Sequence, residues 1–394
     1  MTQTGPSTLT VASRLSSYLR GGGVIVPLTT VAIALFAGGL VVTITGANPF
    51  STYKAIFDGT GFNWLFPWIS AEDRILAAQN LQQTLIRTTP LILVGVAVAY
   101  AFRAGMFNIG GQGQYLVGSF VAVWAGSSFD GLPAVVHVAV AMALAAAAGG
   151  LWAGIAGVLK ARLGVNEVIS TIMLNYTAIW IGVYLFQLSG PLHSDTQPSV
   201  PISNEILDSA RLPVFWGDAE LQGLHVGIFV ALVVLGLFWV LVNRSVAGYE
   251  VRAVGFNPDA AESAGISSGR TYIRVMLICG LFAGLAGSLD VLGWQFTVAT
   301  NDIPVSDVGF LGIAVALLGR NTATGILFSA LFFGGLVNGT SVRNLDPAIF
   351  DPELAQNLAL MIQGLVVLLV SAPVIVTALF GGARRLGLAR KRAA

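Results

Sequence analysis

Asp290 is the one acidic residue well inside a stretch long and apolar enough to cross a bilayer, and Trp294 and Gln295 follow it by one helical turn. A carboxylate at that depth could accept the hydroxyls of a ligand such as ribose, or equally be snorkelled or paired, with Arg87, also toward the outer side, a candidate partner. Asn175 and Tyr176 lie nine and ten residues beyond Asn166, about 14 Å along a helix rising ~1.5 Å per residue. That places an amide and a phenol near mid-bilayer, suited to a neutral, hydroxyl-rich ligand carrying a ring that tyrosine could stack on. An inter-helix hydrogen bond would use the same two groups equally well. A third group is glycine-rich: Gly105, Gly110, Gly111, Gly113 and Gly118 surround Asn108, Gln112 and Gln114. Glycine-interrupted apolar segments mark broken helices and binding sites. They also mark close helix packing with amides bonded across it. Gln112 and Gln114, near Arg103, could instead serve an inner gate.

These groups sit in an apolar chain. Of 394 residues 55% are hydrophobic and 10% charged, against about 25% charged in soluble domains, so a soluble globular fold is excluded. The net charge of +1 removes a polybasic nucleic-acid surface. Cys279 is alone, and His137, His193 and His225 lie far apart, so no metal site is expected. The three lysines, Lys54, Lys160 and Lys391, follow Tyr53, Leu159 and Arg390. None stands where a Walker A lysine must reach nucleotide phosphates. The chain is not expected to be an enzyme, and ATP, if used, must be hydrolysed by another subunit.

A crossing needs roughly 20 apolar residues. Charge-free stretches trimmed at glycine, proline and polar punctuation give ten: about 24–47, 80–103, 106–127, 133–159, 167–189, 224–242, 272–297, 304–319, 322–340 and 356–380. Whether 304–319 spans or re-enters is open. The polar start lacks a signal-peptide cleavage site, so the first stretch reads as a retained helix. With both termini inside, 15 of the 20 basic residues fall on the cytoplasmic side, and acidic residues gather in 190–222 and 343–353 outside. The expected fold is an all-α polytopic membrane protein, one domain over 1–394. Its cytoplasmic parts are an N-terminal segment (1–22), a loop (243–271) and a basic tail (381–394). Outside, 48–79 reads as an aromatic interfacial belt, and the proline-rich 190–222 could meet an external protein.

The loop 243–271 contains Gly255-Phe256-Asn257-Pro258-Asp259-Ala260-Ala261-Glu262-Ser263-Ala264-Gly265-Ile266. Asn257 suits an N-cap, Pro258 the first helical position and Asp259 the positive end of the helix dipole. Ala260, Ala261 and Ala264 are small, and Gly265 can close the C-terminus. Two turns of helix are unstable alone, so this one is expected to pack into something, such as a partner's cleft.

This motif resembles the coupling segment of bacterial ABC importer permeases in the ribose, branched-chain amino acid and nucleoside group. Three more stretches agree: Thr89-Pro90-Leu91-Ile92-Leu93 running into Ala101 through Gln114, Asn166 through Tyr176, and Ser306 through Gly319. The first two look most like the nucleoside branch. The resemblance covers about 24–380. It implies a permease subunit in the bacterial plasma membrane that forms a small-molecule pathway and carries no cofactor itself. It further implies a second, homologous and often non-identical permease, ATP-binding-cassette subunits holding ATP and Mg, and an external substrate-binding lipoprotein. ATP closure would push the 257–265 helix and alternate access to the pathway. A simple-sugar importer shares the pattern; an ion-coupled secondary transporter would need a buried acid or histidine relay, for which only Asp290 offers itself.

Overall fold

The computed structural model describes residues 25–218, 222–341, 343–344 and 349–371. The expected N-terminal segment 1–22, the tail 381–394 and the last part of the final crossing, 372–380, lie outside the described residues. Helices account for nearly all regular structure. They are α1 (Ile25–Ile44), α2 (Pro49–Thr60), α3 (Ala71–Arg103), α4 (Gly111–Ser128), α5 (Ala134–Leu163), α6 (Glu167–Phe186), α7 (Gly227–Arg244), α8 (Val246–Phe256), α9 (Pro258–Ser263), α10 (Ser268–Asp290), α11 (Asp302–Val305), α12 (Val308–Leu318), α13 (Ala323–Gly339) and α14 (Pro352–Ser371). A two-stranded antiparallel ribbon, β1 (Val214–Trp216) with β2 (Leu224–His225), precedes α7.

Seven of the described helices, α1, α3, α5, α6, α7, α10 and α14, are long and apolar enough to cross a membrane. The other three expected crossings are present in altered form. The one expected over 106–127 starts only at Gly111, because Met106–Ile109 is not helical. That expected over 304–319 is α11, a break at Ser306–Asp307, and then α12, whose 11 residues rise about 16 Å. This falls well short of a ~30 Å core, so α12 does not span by itself. The third, α13, has 17 residues. Conversely α3 begins nine residues before the expected 80 and runs for 33 residues, about 50 Å. The loop 243–271 is not irregular: α8 and α9 occupy most of it.

The chain divides into two compact units, one comprising residues up to Thr52 and from Asn357 on, the other Tyr53–Gln356. In the larger unit α10 packs against α3, α4 and α5, and α3 also carries α12 and α13. Most of α3 and α10 is buried. Lipid gives no hydrophobic drive between helices, so their association relies on close van der Waals packing. Glycine supplies that closeness here. A Cβ on Gly284 would fall 2.4 Å from the Ala145 carbonyl oxygen, and one on Gly118 would fall 2.4 Å from Gly284. α4, α5 and α10 therefore touch backbone to backbone.

Contacts within this unit respect the sides assigned from charge. On the cytoplasmic side the Arg103 guanidinium donates to the Asn321 carbonyl at 2.7 Å, and Lys160 pairs with Glu167 at 2.5 Å. On the outer side Asn338 donates to the Gly59 carbonyl at 3.1 Å, and the Leu207 N–H donates to the Gly126 carbonyl.

Candidate functional site

Broken helices leave polar backbone at membrane depth, which is tolerated where it lines a cavity or is bonded by the protein. Both cases occur. The non-helical stretch before α4 is held by side-chain amides. The Asn108 and Gln114 amides bond each other reciprocally at 3.0 and 3.2 Å, and the Gly110 N–H donates to Asn108. Asn175 on α6 accepts from the Gly113 N–H at 2.8 Å and donates to the Ile109 carbonyl at 2.9 Å. Gln112 accepts from the Gly309 N–H at 2.7 Å, joining the starts of α4 and α12. All four side chains are buried. Asn175 and Gln112 make bonds between elements distant in the chain, while Asn108 and Gln114 bond each other within the turn that opens α4.

The second break, at Ser306–Asp307, opens onto a cleft of about 470 Å³, within the ~300–1,000 Å³ usual for small-molecule sites. Asp290, Trp294 and Gln295 line it, together with Arg87 from α3, Tyr115 from α4 and Asp307. Asp290 ends the regular part of α10. Beyond it Val291–Gln295 forms a π-helical turn, closed by the Phe296 N–H donating to the Val291 carbonyl at 3.0 Å. Such wide turns recur at functional sites because they re-aim side chains. The turn ends on Phe296 at φ +60°, a left-handed conformation costly for a bulky residue.

Both Asp290 oxygens are already bonded. The Tyr115 hydroxyl donates to one at 2.6 Å and the Trp294 Nε1–H to the other at 3.0 Å. The first is at the short end of the O–H···O range. Arg87 forms no ion pair with Asp290 within 4.0 Å; its guanidinium instead lies 4.2 Å from the centre of the Trp294 ring. The expected Arg87–Asp290 pairing is thus replaced by a relay: arginine on the indole face, indole N–H on the carboxylate.

Tyr176 is not in the cleft. It is 59% exposed, on a face of α6 shared with Met173, Trp180 and Tyr184. Sequence reasoning missed Tyr115, Ser119 and Phe120, which follow Gln114 on the same helix, and Asp302 and Asp307. Ser306-Asp307 at the start of a very apolar run was the available signal. Residues 203–212 of the polar segment pass along this region: Leu212, Ile206 and Ser203 donate backbone N–H groups to Leu292, Phe296 and Val298.

On the cytoplasmic side the short helix forms as its residues dictate. The Asn257 side chain accepts from the Asp259 and Ala260 N–H groups at 3.0 and 3.1 Å. Pro258 opens α9, Ala264 follows its end, and Gly265 leaves it at φ +85°. α9 has six residues, less than the two turns expected, and contacts α8 and α10. Asp259, Ala260, Glu262 and Ala264 are exposed, but Ala261 is turned inward and buried. Ala261 therefore belongs to the chain's own packing and not to a face offered outward. α8, just before it, meets the end of α3: a Cβ on Gly255 would fall 2.3 Å from the Arg103 carbonyl oxygen.

A polytopic helical membrane protein with broken helices, a polar cleft and an exposed capped helix on its cytoplasmic face has the construction of a transporter subunit. Residues 80–371 match the family described as branched-chain amino acid transport system / permease component, and the chain belongs to it. It is 41% identical over 323 residues to a guanosine ABC transporter permease of Bacillus subtilis, covering 80% of this chain and 85% of the relative. It is 33% identical to a nucleoside ABC transporter permease of Lactococcus lactis (80% and 83% covered). Identity to a glucose ABC transporter permease of Haloferax volcanii is 34% (80% of each). No solved structure matches the chain. The chain is accordingly an inner-membrane permease subunit of an ABC transport system, a kind of subunit that works with ATPase and substrate-binding partners in general.

Proposed function

We propose that the solute carried is a nucleoside, and that the 470 Å³ cleft is where it is held. The observation carrying this reading is the Arg87–Trp294–Asp290–Tyr115 relay, a polar wall preorganised before any ligand arrives. With both oxygens committed, Asp290 orients Tyr115 and Trp294, leaving Asp302, Asp307 and Gln295 as hydroxyl and base partners and Phe120 as an apolar wall. The similarity to guanosine and nucleoside permeases supports the same solute class.

The exposed residues Asn257, Pro258, Asp259, Ala260, Glu262, Ala264 and Gly265 meet a separate ABC ATPase, which holds ATP and Mg. Its stroke reaches the membrane through α8 and Gly255 at the start of the broken segment. Asn108, Gln112, Gln114 and Asn175 then act as the hinge of the pathway, their amides re-pairing as it opens. Tyr176 and its exposed α6 face meet a second, homologous permease, so that Tyr176 borders the pathway at their junction. An external binding lipoprotein delivers solute against 190–222.

The test is uptake by proteoliposomes holding the assembled transporter with its ATPase and binding protein. ATP-dependent guanosine uptake, competed by adenosine and uridine but not by ribose, is expected. Ribose competing as well as guanosine would establish the sugar reading, which the glucose-permease relative favours. Uptake driven by an ion gradient without ATP would overturn both.

A further inference from the structure

His225 is fully buried, on the short strand β2. Its Nδ1 accepts from the Gly227 N–H at 3.2 Å, so in the neutral ring the proton sits on Nε2. Nε2 has no hydrogen-bond partner. A buried donor left unmatched calls for an explanation, since an apolar side chain would fill the same space without that cost. The neighbour Nε2 faces is Gly293, the middle residue of the π-helical turn. A Cβ on Gly293 would lie 2.4–2.7 Å from Nε2 and both adjacent ring carbons. The imidazole therefore lies against the bare backbone of the turn, and nothing larger than glycine fits beneath it. The next two residues of that turn are Trp294 and Gln295, both in the cleft. Leu212 braces the same turn through its N–H on the Leu292 carbonyl at 2.8 Å.

We propose that His225 is a positioning residue of the substrate site: its rigid ring is a wedge against Gly293 that keeps residues 291–295 in the wide turn and so fixes where Trp294 and Gln295 stand. A π turn closes i→i+5 rings, is rare and appears as single turns inside α-helices, and it persists where its surroundings hold it. With the wedge gone the turn can tighten, the register shifts by one residue, and the Trp294 indole leaves Asp290 and Arg87. This inference rests on reading the cleft as the substrate site, but its structural half does not.

Two measurements separate them. Hydrogen exchange of the 291–296 amides in the purified full-length chain reads the turn whatever the solute. His225→Ala is expected to speed that exchange about tenfold, an opening made easier by roughly 1.4 kcal/mol. Unchanged exchange overturns the wedge. Uptake by the assembled transporter then reads the site. His225→Ala and Gly293→Ala should each raise KM about tenfold with Vmax changed less than about twofold, as displaced binding groups do. The double variant, in which the new methyl occupies the space the ring vacated, should recover most of the lost affinity. His225→Asn, which keeps an acceptor for the Gly227 N–H, tests the position if either alanine variant fails to reach the membrane, and should show a smaller rise in KM. A double variant no better than the worse single one, or KM unchanged in both singles, overturns the positioning role. Wild-type chain that takes up neither nucleosides nor sugars, with exchange still accelerated by His225→Ala, would sink the reading of the cleft and leave the wedge standing.

Discussion

The outer cleft and the cytoplasmic α9 are built on opposite principles. α9 is local: its N-cap, its first-turn proline and its closing glycine lie within nine consecutive positions, 257–265, and the cap and the glycine bond groups inside that stretch. The cleft is assembled from a distance. Its central hydrogen bond joins Tyr115 to Asp290 across 175 positions, and Arg87 reaches Trp294 from another helix. A local motif tolerates substitution in proportion to the bonds it loses, because backbone bonds nearby persist. A relay centred on the buried Tyr115 and Asp290 fails as a unit, since each member satisfies the next.

The largest expected effect therefore belongs to the relay. Asp290→Ala leaves the buried Tyr115 hydroxyl without its acceptor, at about 1–3 kcal/mol, and frees the part-buried Trp294 indole from its anchor, and should lower uptake efficiency about a hundredfold. The permease should still associate with its ATPase, checked by co-purification; loss of association would mean that cleft and coupling face are not separable. Next comes the exposed face of α9. Ala260→Arg places a long cation where a partner must close in, and should reduce uptake about tenfold, the ~1.4 kcal/mol of one badly seated interface residue. Solute binding to the permease should be unchanged, measured by equilibrium dialysis. Arg87→Ala removes a cation–π contact of about 1 kcal/mol and should raise KM about fivefold. Equal loss in ATPase stimulation would break the contrast between the regions. The smallest effect is expected for Asn257→Ala, which removes an N-cap of about 1 kcal/mol on a helix also held by α8 and α10. Uptake should drop about threefold, with Asn257→Ser close to wild type; an effect as large as that of Asp290→Ala would show that α9 is no more robust than the relay.

The same contrast explains what was legible beforehand. Ser306-Asp307 before an apolar run was visible, but not that α12 begins there at the wall of a cleft. Asn175 was visible as a polar group at mid-bilayer depth; that both ends of its amide are consumed by Gly113 and Ile109 was not. Ala261 was read as part of an outward coupling face because small residues look alike on either side of a short helix. Its burial against the chain's own helices was a matter of rotation about the helix axis, and six residues carry too little periodicity to set that rotation.

By itself the sequence determined the membrane-spanning class, seven of the ten expected crossings and the capped helix in 257–265, and it assigned each loop a side from its charge. Each of these follows from short-range physics: the cost of charge in hydrocarbon, the bias of basic residues to one side, and hydrogen bonds between near neighbours. The tertiary structure alone decided that Arg87 stacks on Trp294 and does not pair with Asp290, that the end of α10 widens into a π turn, and that the His225 ring lies against Gly293. Those outcomes depend on where helices far apart in the chain are pressed together, and glycine contacts a few ångströms across set that approach.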